Sequence, residues 1–148
     1  MKRWPFLAAA LALSACETLP TGAAAPAVSG AALEGSLDLG DWRNANQAAT
    51  LTSFEQNVAS RYAVGLSLSD AAADLRRNEF NCGAAPSLDE QGRGDPPAQV
   101  CRRTITVNAC THTWQVHLFD QASDGRLART RGLYDRRCGN EGLLGGPG

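Results

Sequence analysis

Apolar residues return at every fourth position from Phe54 through Val58 to Tyr62, the spacing of one helix face. The pattern predicts a helix from Ser53 to about Tyr62, with Thr52 or Ser53 as its cap and Glu55 in the first turn. Val64-Gly65-Leu66-Ser67 breaks the period. A second helix follows, capped by Ser69 or Ser67 and running through Asp70 to about Asn78. Its inward face is Ala71 or Ala72, Leu75 and then Phe80. Asp70 and Asp74 fall toward its positive end and Arg76 and Arg77 in its last turn, so its charges suit the helix dipole.

Gly83 to Pro97, crowded with Gly, Pro and acidic residues, reads as a loop. Beyond it the period changes from four to two. In Val100 to Asn108, Cys101, Ile105 and Val107 share one parity, while Arg102, Thr104 and Thr106 take the other. In Thr113 to Phe119 the inward set is Trp114, Val116 and Leu118, with Gln115 and His117 opposite. Ser123-Asp124-Gly125 marks a turn, and Arg126 to Tyr134 is the third strand. There Ala128, Thr130, Gly132 and Tyr134 alternate with Leu127, Arg129, Arg131 and Leu133. Burying two arginines is the costlier choice, so the small residues are placed inward. The expected fold is α+β: two short helices and then a three-stranded antiparallel meander, stapled by disulfides.

The stretch from Glu17 to about Gln47 is rich in Ala, Gly, Pro, Thr and Ser and keeps no sustained period. It reads as a flexible tether, in which Leu37, Leu39 and Trp42 are incidental apolar residues. The expected organisation is therefore a signal segment over 1–15, a linker over 16–50, a small domain over 51–142 and a tail over 143–148.

The first fifteen residues carry the three parts of a bacterial export signal. Lys2 and Arg3 are the positive region, Phe6 to Leu13 the short apolar region, and Ser14 and Ala15 the small residues before Cys16. Leu13-Ser14-Ala15-Cys16 resembles the lipobox of bacterial lipoproteins at all four positions. The resemblance implies that the Cys16 thiol is joined to diacylglycerol, that the chain is cut before it, and that the freed amine is acylated. The apolar run is too short to span a bilayer, which takes about 20 residues. Glu17, where an inner-membrane retention signal asks for Asp, favours the outer membrane with the domain in the periplasm.

That address changes the meaning of the remaining composition. Cutting before Cys16 removes the only lysine and one arginine, leaving 12 basic and 15 acidic residues. So near-neutral a balance argues against a general nucleic-acid binder. Four cysteines remain, Cys82, Cys101, Cys110 and Cys138, and an even count in an exported small domain reads as two disulfides with three possible connectivities. No pair has the two-to-four-residue spacing of a structural zinc site. A hairpin about Asp124-Gly125 brings Cys110 beside Cys138, which leaves Cys82 for Cys101.

The search for catalytic chemistry finds no constellation and no cofactor or metal motif. His112 and His117, five apart on an extended segment, face opposite ways. Asp70 and Asp74 are an i, i+4 pair near a helix start, where capping and dipole reasons already account for carboxylates. What remains is a surface. Arg102, Gln115, His117, Arg129 and Arg131 fall on the outward side of the sheet, with Thr104 and Thr106. Residues 99–139 hold seven arginines and three acids, a balance suited to an acidic protein surface or anionic headgroups.

Lipobox, linker, two helices about Val64-Gly65-Leu66-Ser67-Leu68-Ser69-Asp70, and then strands: this order resembles the BamE/SmpA family over roughly residues 53–134. Those lipoproteins belong to the machine that assembles outer-membrane β-barrels and have an αα-βββ fold. The family's Leu-Gly-x-Pro after the second helix is replaced here by Asn78-Glu79-Phe80-Asn81-Cys82, and the cysteines are not its hallmark. The resemblance implies a non-catalytic, membrane-anchored envelope protein that binds or scaffolds another envelope protein. The competing expectation is an inhibitor of a secreted enzyme such as a lysozyme or β-lactamase, presenting the Gly83 to Pro97 loop.

Overall fold

The computed structural model describes residues 33–86 and 95–139. Its elements are α1 (Gln47–Arg61), α2 (Leu68–Arg77), β1 (Asn81–Ala84), β2 (Gln99–Val107), β3 (Cys110–Phe119) and β4 (Arg129–Cys138). The strands form one antiparallel sheet in the order β1-β2-β3-β4, with α1 lying along β4 and α2 toward β1.

The sheet therefore has four strands, and the three-stranded meander expected from the sequence is corrected. The added strand, Asn81-Cys82-Gly83-Ala84, is too short and too mixed to show an alternation. Pairing along the edge of β2 makes it a strand, with Cys82 directly opposite Cys101. The start of the expected Gly83 to Pro97 loop is thus sheet, and residues 87–94 of that loop lie outside the described residues.

Helix α1 starts six residues before the expected Ser53, because Asn46 is the cap and its side chain accepts from the Ala49 amide. The first turn, Gln47-Ala48-Ala49-Thr50, is polar or small and hides the helical period. Phe54, Val58 and Tyr62 are buried, and Ser67 caps α2 through the Asp70 amide. Close approach of α1 to β4 needs Gly132, where a Cβ would stand 3.1 Å from the Phe54 ring and 3.2 Å from the Glu55 Cα. The small inward residues of β4 are the space that α1 fills. Leu127, assigned outward from the alternation, is instead buried. It precedes β4 and exchanges backbone hydrogen bonds with Gly65 and Leu66, locking the α1–α2 turn to the β3–β4 connection.

The largest departure lies before α1. Residues 33–46, placed in the tether by their composition, form a strap packed on the domain. Leu37 and Trp42 are core residues, and the Trp114 indole donates to the Leu39 carbonyl at 3.2 Å. Gly40 has φ +76 and sits so close to α1 that a Cβ would lie 3.1 Å from the Thr50 carbonyl oxygen. The strap's first half is held by one buried carboxylate. Asp74, 1% exposed, accepts from Arg61 Nε at 2.7 Å, the Tyr62 hydroxyl at 2.8 Å and Arg77 at 2.8 Å. Arg61 also donates to the carbonyls of Leu33, Glu34 and Gly35, and Asn78 accepts from the Leu37 amide. Burial pushes the Asp74 carboxyl up, but the hydrogen bonds from Arg61, Tyr62 and Arg77 and the Arg61 charge outweigh it. The carboxyl is held below the ordinary value.

Two disulfides, Cys82–Cys101 and Cys110–Cys138, join residues that face each other across neighbouring strands. They close β1 on β2 and β3 on β4, in a domain small enough for each to be worth about 2–4 kcal/mol.

Candidate functional site

Strand alternation gives the sheet one face packed against the helices and one turned away from them. The register aligns the outward residues in rows. Arg102 lies opposite Gln115 and that opposite Leu133; Val100, His117 and Arg131 form the next row. Thr104, Thr113 and Asp135, then Thr106, Thr111 and Arg137, complete the face toward the β2–β3 turn. All five expected surface residues share it: Arg102, Arg129 and Arg131 are exposed, and Gln115 and His117 half-buried. The Arg129 guanidinium lies 3.5 Å from the centre of the Phe119 ring.

Small threonines between long side chains leave a groove of about 330 Å³, bordered by Arg102, Thr111, Thr113, Gln115, Asp135 and Arg137. Asp135 pairs with Arg137 at 3.0 Å and is the one acid among the described residues of these rows. The field of the face is legible in His117, whose pKa is lowered by burial first and then by Arg131 and Arg102. His117 is therefore a neutral hydrogen-bonding group at pH 7, and its Nε2 lies 3.4 Å from Gln115 Oε1.

Other residues singled out from the sequence serve the fold. Asp74 is fully committed to Arg61, Tyr62 and Arg77, while Asp70 is exposed beside its Ser67 cap, so the two carboxylates do not act together. His112 is on the packed side, where its Nδ1 shares a 2.7 Å hydrogen bond with the Tyr134 hydroxyl. Its pKa is lowered, by burial first and then by Arg136. Among the described residues no three His, Cys, Asp or Glu side chains converge as metal ligands, and no helix is long and apolar enough to cross a membrane. Cys16 lies outside the described residues.

Sequence reasoning missed one feature, a pocket of about 380 Å³ between the strap and the β2–β3 end of the sheet. Trp42, Arg43, His112 and Arg136 border it. Its only advance signal was Trp42, a large aromatic in an otherwise small-residue segment. No protein-family model, curated protein or solved structure matches the chain.

Proposed function

We propose that this chain is a lipid-anchored protein of the bacterial cell envelope whose domain binds an acidic surface on another envelope protein through the outward face of its sheet. The anchor reading rests on Leu13-Ser14-Ala15-Cys16 after a short export signal. The observation that carries the binding reading is the outward face, where, among the described residues, Arg102, Arg129, Arg131 and Arg137 stand against Asp135 alone. A hydrogen-bond-rich, cationic surface speeds encounter with an acidic partner and fixes its orientation. Because the fold already begins by Leu33, the chain from Cys16 to that point spans at most about 60 Å when fully extended. The partner is therefore a membrane-proximal one.

Two measurements test this in bacterial cells producing the full chain. Cys16→Ser should abolish incorporation of a labelled fatty acid into the protein, and a variant labelled as strongly as wild type removes the anchor. A photo-crosslinker at Thr104 should capture a particular envelope protein. The double substitution Arg102→Glu with Arg131→Glu should abolish capture while changing stability by less than about 0.5 kcal/mol, as exposed positions do. Capture that survives charge reversal would place the contact elsewhere.

A further inference from the structure

We infer that the pocket between the strap and the β2–β3 end of the sheet binds a small ligand carrying a carboxylate on a flat apolar body. The packed face of the sheet continues past the helices as a row in which Ile105 lies opposite His112 and His112 opposite Arg136. Trp42 and Arg43 come over this row from the strap, and the space left between them is about 380 Å³. That is within the range of small-molecule sites, about 300–1,000 Å³.

The pocket's charge is one-sided. Arg43 and Arg136 both border it, and no carboxylate does among the described residues. The Nε of Arg136 is buried and has no acceptor among the described residues. A guanidinium donor withdrawn from water without an acceptor is costly, and it is worth keeping where an anion completes it. The neighbouring carboxylate does not serve it, since Asp135 points to the other face and meets Arg137 and Gln47. Arg43 is exposed, its guanidinium 4.2 Å from the centre of the Trp42 ring, so a second cation stands at the pocket's edge.

The walls decide what carries the anion. The Trp42 and His112 rings meet edge to face with centroids 4.9 Å apart, and Val107, 38% exposed, closes the hairpin side. A bare oxyanion leaves these surfaces unused, whereas an aromatic ring with a carboxylate covers them and reaches Arg136. His112 contributes shape and not charge, because burial and Arg136 keep it neutral while Tyr134 holds its Nδ1.

The test is a titration of the disulfide-bonded protein with N-acetyl-phenylalanine, its neutral amide and inorganic phosphate, followed by NMR at the Trp42 indole and the His112 backbone. The acid should bind saturably with a dissociation constant of about 1 mM or below, as expected for a ligand of that size. Loss of its charge in the amide, or Arg136→Gln, should weaken binding about tenfold or more, and phosphate should bind more weakly than the acid. Arg43→Gln, at an exposed position that leaves the fold intact, should weaken the acid about threefold if its guanidinium contributes part of one charged contact. No saturable shift with the acid, equal binding of acid and amide, or an unchanged affinity in both variants would overturn the site. Phosphate binding as tightly as the acid would overturn the apolar body.

Discussion

The strap's two ends are built from the same kind of cation in opposite circumstances. At the Leu33 end Arg61 is enclosed and each of its three guanidinium nitrogens is answered, by Asp74 and by three backbone carbonyls. At the Trp42 end Arg136 is half-buried with an Nε that nothing described answers. A buried charge with a complete hydrogen-bond shell holds a structure together, whereas one without such a shell stores binding capacity. The first end is therefore the clamp of this molecule and the second its candidate receptor.

The most severe way to break the comparison is Asp74→Ala. It strands Arg61 and Tyr62 together, and breaking a buried pair from one side costs about 3–5 kcal/mol. Against a total of about 5–15 kcal/mol for a small domain, that lowers the unfolding midpoint in urea or heat steeply. A cost under about 1 kcal/mol would mean that aromatic packing at Trp42, and not the clamp, secures the strap.

Acid should loosen the same end more gently. The Asp74 pKa is lower folded than unfolded, so its contribution is complete above the unfolded value of about 3.9 and fades as pH falls through the folded one. The wild-type chain should therefore lose stability below about pH 4 relative to Asp74→Asn, which has no such carboxylate to titrate. Parallel pH–stability curves for the two would show that other carboxylates govern the acid limb.

How much of this was legible follows from which interactions are local. Phe54, Val58 and Tyr62, a cap at Ser67 or Ser69 and the alternation around Trp114 could be read because each signal lies within one element. The clamp could not, since Arg61 and Asp74 are 13 residues apart and Leu33 is 28 residues from Arg61. The strap was hidden for the same reason. Its Leu37 and Trp42 obey no period, and they are held by residues far along the chain, Asn78 at the Leu37 amide and the His112 and Trp114 rings at Trp42. Of the surface, Arg102, Arg129 and Arg131 were visible as a strand parity. Arg136 was not, because the third strand was expected to stop at Tyr134 and in fact continues to Cys138.

The finest test of the comparison uses a substitution that should do almost nothing to the fold. Arg136→Met keeps the length and much of the volume of the side chain and removes its unanswered donor. Because its Nε has no hydrogen-bond partner among the described residues, stability should stay within about 1 kcal/mol of wild type, or rise, in contrast to the cost at Asp74. Urea unfolding of the two variants beside wild type reads the difference directly. If Arg136→Met instead lost 3 kcal/mol or more, a range typical of broken buried pairs, Arg136 would have an answering group after all. The two ends of the strap would then be clamps of one kind, and the pocket would lose the unpaired cation on which its ligand depends.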